Sequence, residues 1–260
     1  MNTSRSFDRA ADSYDNTRPL FDATAEVGIQ SLLDAAVEGA RFLEVGTGTG
    51  RISIPLLERG ADLIGCDLSE KMLMRQREKY PAARLVESDA VFLPFASGHF
   101  DAVLTVHVMH LIGPWREALR EFKRVLKAGG VLLNVTTYAA VGESIRDTMR
   151  GHWRSWLKAH AVDTHHPGAQ NKEERHAELL SMGARLQELE VIRFALPFTL
   201  RVELERYSGR VSSDTWSVPE EIFQESLTDL QSWVEHEYGD LDQGREDKVR
   251  FVFDIASFDA

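Results

Sequence analysis

The segment LEVGTGTGR at residues 43 to 51 constrains the fold more than any other: a short apolar run ends in three glycines spaced two apart, with Glu44 two residues before the first. Such a run describes a strand that stops abruptly, turns on glycine and enters a helix. Gly46, Gly48 and Gly50 can each take positive φ at little cost, and none has a Cβ to hold a ligand atom away from the peptide planes. The helix expected from about Ile52 to Arg59 has Pro55 in its first turn, where N–H groups lack intrahelical partners and a proline loses little. Taken alone, the pattern is equally that of an ordinary Gly-rich strand-to-helix turn, so its context has to decide.

Glycine spacing separates two cofactor classes. A dinucleotide fingerprint places its third glycine three residues after the second, whereas here it follows after two. A carboxylate at Glu44 is also badly placed for a pyrophosphate, because it adds negative charge beside two phosphates. It suits a cationic or zwitterionic ligand better.

Downstream, ADLIGCD (61 to 67), RLVESD (84 to 89), FDAVLTVHV (100 to 108) and GVLLNVTTY (130 to 138) read as buried strands, being continuously apolar rather than alternating. Helical stretches separate most of them. In Trp115 to Lys127, for example, Trp115, Ala118, Leu119, Phe122, Val125 and Leu126 form one stripe that Gly129 and Gly130 end. An amphipathic helix over 21 to 36, carrying Phe21, Ala25, Ile29, Leu32, Leu33 and Ala36, precedes the glycines. This alternation predicts an α/β fold with a doubly wound, mostly parallel sheet.

After Tyr138 the alternation stops. Residues 139 to 183 read as a helical insertion or cap broken at DTHHPGAQN (163 to 171), followed by a strand near Glu190 to Leu196 and a helix from about Pro219 to Tyr238. KVRFVFDIASF (248 to 258) alternates as an antiparallel C-terminal strand added near a sheet edge does. The expected organisation is a single domain over 1–260, with 1–20 covering the cofactor and 139–183 lying over the acceptor site.

In an open α/β sheet the ligand lies beyond the carboxyl ends of the strands. Glu44, Asp67 and Asp89 fall at three such ends. Asp67 follows Gly46 by 21 residues, the distance at which a carboxylate accepts ribose hydroxyls in units of this shape. Its alternative role is an N-cap for a helix over Ser69 to Lys79, and both roles can coexist. Asp89 is placed to accept from an exocyclic adenine amine, with Leu68, Met72 and Ala90 offering apolar faces to the ring, although for Met72 alone plain helix packing is the stronger account.

With these residues in order, the chain resembles the class I S-adenosylmethionine-dependent methyltransferases over roughly residues 40 to 137, through LEVGTGTGR, Asp67, ESDA, FDAVLTVHVMH and RVLKAGGVLL. Within them it is similar to the type 11 group that includes ubiquinone and menaquinone biosynthesis methyltransferases, whose N-terminal segment FDRAADSYDNTRP (7 to 19) resembles. The resemblance implies a Rossmann-like fold with S-adenosyl-L-methionine as cofactor. In it Gly46, Gly48 and Gly50, with Thr47 between them, approach the methionine part, Asp67 holds the ribose, and Asp89 with Ala90 flanks the adenine. Glu44 orients the cofactor's amino group, and Tyr14 and Arg18 close over the cofactor.

Methyl transfer needs no protein nucleophile, because the sulfonium already activates its methyl group; the protein has to align the acceptor and exclude water. A general base is optional. His107 and His110 stand at the end of the fourth strand on the ligand side. His107 counts with the cofactor contacts and His110 is the preferred base or acceptor-binding residue, against the alternative of a locally satisfied histidine. Trp115, Tyr138, Trp153 and Trp156 fit either an apolar acceptor pocket or the core of the inserted helices. His165 and His166 are adjacent without further ligands at metal spacing, so no metal site is expected.

The 260 residues carry a net charge of −11, which repels a phosphate backbone and argues against nucleic acid as a partner. One cysteine, Cys66, excludes an intrachain disulfide, and no apolar stretch reaches membrane-spanning length, so the expected setting is the cytoplasm. The function expected is methyl transfer to a small-molecule acceptor, with oligomeric state left open. The rivals are a nicotinamide-dependent oxidoreductase and a non-catalytic S-adenosylmethionine-binding protein.

Overall fold

The computed structural model describes residues 6–8, 11–12, 14–17, 30, 39–169 and 171–259. Arg18 and most of the helix expected over 21 to 36 lie outside the described residues. Seven strands form one sheet: β1 (Arg41–Val45), β2 (Asp62–Asp67), β3 (Arg84–Glu87), β4 (Phe100–Val106), β5 (Leu126–Ala140), β6 (Ala184–Phe198) and β7 (Arg245–Phe258). Their order is β3-β2-β1-β4-β5-β7-β6.

β1 pairs in parallel with β2 and β4, β2 with β3, and β4 with β5. β7 runs the other way. The N–H of Val141, just past β5, donates to Lys248 near the start of β7, while Ala256 and Phe258 at the end of β7 share a core with Leu126 at the start of β5. The sheet is thus mostly parallel with an antiparallel C-terminal strand. That strand sits one place in from the edge, which β6 occupies.

The described helices are α1 (Tyr14–Thr17), α2 (Ser53–Glu58), α3 (Glu70–Lys79), α4 (Trp115–Val125), α5 (Ile145–Ala159), α6 (Lys172–Ser181), α7 (Leu200–Ser208) and α8 (Glu220–Tyr238). Adjacent β4 residues explain the continuous apolar runs. Val103 joins a core with Leu119 and Phe122 of α4 and Leu179 of α6, while its neighbour Leu104 joins an opposite core with Leu56 of α2. Both faces are covered, so period-2 alternation vanishes.

The chain divides into two compact units, one comprising residues 1–137, 166–192 and 251–260 and the other 138–165 and 193–250. The 139–183 stretch is divided between them: α5 belongs to the second unit and α6 to the first. In the second unit, Met149, Trp153 and Leu157 lie on one face of α5 and form a core with Phe223, Leu230 and Val234 of α8. The Trp153 indole N–H donates to Ser226 Oγ at 3.0 Å. Helix α7 is absent from the sequence expectation, although Thr199 gives a capping signal, its hydroxyl accepting from the Val202 N–H.

Candidate functional site

The glycine turn leaves β1 as expected. The N–H groups of Gly46 and Thr47 both donate to the Cys66 carbonyl on β2, at 2.8 and 3.0 Å, which bends the chain back over the strand end. Gly46 has φ +75°, and a Cβ there would lie 2.6 Å from Val108 Cγ2, so only glycine fits. Gly48 differs in kind. At φ +57° a Cβ on it would meet nothing within 4 Å among the described residues, so against these the turn presents bare backbone at its middle residue. Gly50 closes the turn, its N–H donating to the Thr47 carbonyl.

Asp67 braces this turn. Its Oδ2 accepts from the Gly48 N–H at 2.8 Å and its Oδ1 from the Ser69 N–H at 2.9 Å. Burial raises its pKa, against the lowering effect of those N–H groups. The capping role offered as its alternative falls to Ser69, whose hydroxyl accepts from the Met72 N–H at 3.2 Å and opens α3. Two acceptor oxygens taken once each still leave lone pairs for a ligand.

Beneath the turn lies a buried polar network that spacing does not reveal. The Thr47 hydroxyl contacts Glu44 Oε2 and Ser53 Oγ, each at 2.9 Å, and Gln76 Oε1 at 3.1 Å; Gln76 Nε2 donates to Ser53 at 2.7 Å. Glu44 is 2% exposed. Burial pushes its pKa up to about 8, with Thr47 and Ser53 opposing and the Asp67 charge reinforcing the rise. Thr47 therefore acts as a tie beneath the turn. Residues 53 and 76 carry no motif, and only the packing of α2 against α3 brings them here.

Among the remaining expected contacts, Leu68 is half-buried beside Asp67, Met72 is 2% exposed inside α3, and Ala90 belongs to the core. Asp89 is half-buried after β3, with Oδ1 accepting from the Val91 N–H at 3.2 Å. The N-terminal segment reaches the same end of the sheet through three carboxylates: Asp8 accepts from the Ser69 hydroxyl, Asp12 pairs with Arg75, and Asp15 takes Thr49 Oγ1 at 2.6 Å and Lys79 at 2.9 Å. Tyr14 stands edge-on to Phe7 within this segment, ring centroids 6.1 Å apart. Ser69→Ala removes a helix cap and the Asp8 anchor together, and is expected to cost about 1 kcal/mol in urea unfolding.

His107 is exposed at φ +51°, immediately after β4. His110 is half-buried in the short 3-10 turn Met109–Leu111, and its ring lies 4.7 Å from that of His166. Backbone bonds hold the two segments together, from Gly168 N–H to the His110 carbonyl and from Ala169 N–H to the Met109 carbonyl, at 2.8 and 3.1 Å. His166 thus joins His110, which adjacency to His165 in the sequence conceals. His165 instead pairs with Asp163.

The four aromatic residues considered for an acceptor pocket are not gathered by either unit. Trp115 is core of the first unit, Trp153 and Trp156 belong to the second, and the Tyr138 side chain is outside the described residues. No cluster of three or more His, Cys, Asp or Glu residues able to hold a metal occurs among the described residues.

Residues 43–134 match the Methyltransf_11 family model, whose description is a methyltransferase domain. This stretch of the chain is similar to that family. A demethylmenaquinone methyltransferase of Renibacterium salmoninarum is 34% identical over 136 residues, 48% of this chain and 57% of that protein. A ubiquinone/menaquinone biosynthesis C-methyltransferase of Cereibacter sphaeroides is 34% identical over 138 residues, 49% and 55% of the two chains. The chain spans just over half the length of these curated relatives. The chain shares its fold with the YcgJ protein of Bacillus subtilis, at TM-score 0.60 and 18% identity over 91% of this chain and 99% of that one. A Haemonchus contortus phosphoethanolamine N-methyltransferase 2, solved with S-adenosyl-L-methionine, aligns at TM-score 0.57 and 17% identity over 97% of this chain and 57% of that one.

Proposed function

We propose that the protein binds S-adenosyl-L-methionine at the C-terminal ends of β1, β2 and β3 and transfers its methyl group to a small molecule. The observation that carries this reading is the glycine turn after β1 braced by the Asp67 carboxylate, with the space beside Gly48 open among the described residues. The residues fit the cofactor. An open backbone turn accommodates the methionine part, Asp67 has lone pairs for two ribose hydroxyls, and Asp89 with Leu68 stands where an adenine amine and ring would lie. Glu44 beneath the turn favours a ligand that brings a positive charge, because an ammonium nearby offsets the cost of ionising a buried carboxyl.

The bound cofactor supplies an activated methyl group, so this chain's own residues have to bind, orient and desolvate. Gly46 to Gly50 and Asp67 fix the donor. His110, with its ring beside His166, takes the proton of an acceptor hydroxyl or acidic carbon where one has to leave. The relatives' names support a quinol-like ring as acceptor. The charge of −11 favours a small molecule over nucleic acid, and the buried, unpaired Cys66 fits a cytoplasmic setting. Among the described residues no helix is long and apolar enough to cross a membrane.

Calorimetric titration with S-adenosylmethionine and S-adenosylhomocysteine is expected to show one site per chain, with no response to nicotinamide dinucleotides. Silence toward both sulfur compounds would remove the proposal. Formation of S-adenosylhomocysteine with a demethylmenaquinol acceptor then distinguishes an enzyme from a binding protein.

A further inference from the structure

Asp8, Asp12 and Asp15 tie the N-terminal segment to the end of the sheet where the glycine turn lies, and they do so by contacts of unequal kind. Asp12 meets Arg75 with its own side chain 82% exposed, and an ion pair so wet contributes little. Asp8 takes the Ser69 hydroxyl, two residues past Asp67. Asp15 is held from two elements at once. Its Oδ1 accepts from the Thr49 hydroxyl at 2.6 Å, and its Oδ2 from Lys79 Nζ at the end of α3, at 2.9 Å.

Thr49 follows Gly48 in the glycine turn and is 1% exposed. A hydroxyl so enclosed needs an acceptor, and Asp15 supplies it. Burial works against the ionised form of Asp15, yet the Thr49 and Lys79 bonds and the nearby Arg51 charge outweigh it and hold the carboxyl below its ordinary range. The contact is thus ionic at neutral pH. Its position matters as much as its strength. Ser69 lies two residues past Asp67 and Thr49 one past Gly48, while Asp67 Oδ2 accepts from the Gly48 N–H. A segment fixed to both Ser69 and Thr49 therefore runs along the Asp67–Gly48 brace, where the ribose and methionine parts of the cofactor are assigned.

We propose that Asp15 is a positioning residue that latches the N-terminal segment across the mouth of the cofactor site, so that the bound nucleoside leaves only after Asp15 has let go of Thr49 and Lys79. The assignment rests on the methyl-transfer reading for the identity of the ligand. The Lys79 side chain is 39% exposed, so dissolved salt reaches this arm of the latch and weakens it. A segment held by apolar packing alone would be indifferent to salt.

The test is the release of tritiated S-adenosylhomocysteine from the full chain, chased by excess unlabelled compound. This ligand carries no net charge and adds little salt dependence of its own. Asp15→Asn is expected to speed release about tenfold at low salt, because two charge-assisted contacts become neutral ones. Release from the parent chain is expected to quicken several-fold between low salt and about 0.5 M NaCl, while release from the variant changes little. Lys79→Met breaks only the exposed arm and is expected to raise the rate about threefold, and the same readouts on it decide the matter if Asp15→Asn does not fold. Unchanged release from a folded variant, or equal salt sensitivity in variant and parent, overturns the latch and leaves the cofactor site standing. Absence of binding to the parent chain removes the methyl-transfer reading and the latch with it.

Discussion

Asp67→Ala is expected to weaken S-adenosylhomocysteine binding by about 100-fold or more while leaving the sheet folded. The carboxylate offers two charge-assisted hydrogen bonds to ribose hydroxyls, each worth roughly 1.5–3 kcal/mol, and nothing else at the end of β2 replaces them. It also accepts the Gly48 and Ser69 N–H groups, so its removal loosens the turn that receives the methionine part. Asp67→Asn, which keeps one acceptor oxygen, should fall between the two. Calorimetry on variants whose circular dichroism matches the parent reads the effect. An unchanged dissociation constant in a folded Asp67→Ala chain takes Asp67 out of the cofactor site.

The second large effect concerns stability against pH. Glu44 has a folded-state pKa of about 8 against an ordinary value of 4.5, chiefly because burial disfavours its charged form. Between those values the native chain holds a proton that the unfolded chain has released. The native state therefore binds more protons, and unfolding free energy falls as pH rises. The contribution is fully present below about pH 4.5 and lost as pH passes through 8, on the order of 5 kcal/mol across the window at about 1.4 kcal/mol per pH unit. Glu44→Gln cannot ionise and keeps an acceptor for the Thr47 hydroxyl. Urea unfolding of the cofactor-free protein at pH 5, 7 and 9 should show a falling series for the parent and a flatter one for the variant. Equal slopes in the two would mean that Glu44 ionises without cost. The same substitution should lower cofactor affinity, since the carboxylate that an ammonium would stabilise is gone.

The two predictions also mark how far the sequence was legible. Asp67 stands out because the distance from a glycine turn to the next strand end is set by one βαβ unit, a local quantity that spacing reports. The strands β1 to β5 and helices α3, α4 and α8 were legible for the same reason: each buries a stripe or a run whose period is written in consecutive residues. The capping role left open for Asp67 went to Ser69, which lies only two residues away. Spacing cannot choose between adjacent oxygens when the choice depends on how the chain leaves the strand.

Other parts of the site are assembled by contacts between distant residues, and these were hidden. Ser53 and Gln76 join Glu44 through Thr47 because α2 and α3 pack side by side beneath the turn. His166 reaches His110 across more than fifty residues through two backbone hydrogen bonds. The division of 139–183, with α5 in one unit and α6 in the other, follows from which core each apolar face finds, and both faces look alike in sequence.

The sequence by itself determined the doubly wound sheet, the glycine turn and the acidic residues at its strand ends, because periodicity and short spacings are properties of neighbouring residues. Only the tertiary structure decided what surrounds them: the buried tie from Thr47 to Glu44 and the histidine pair. Those arise from the order in which strands pair and helices pack, which no local pattern encodes.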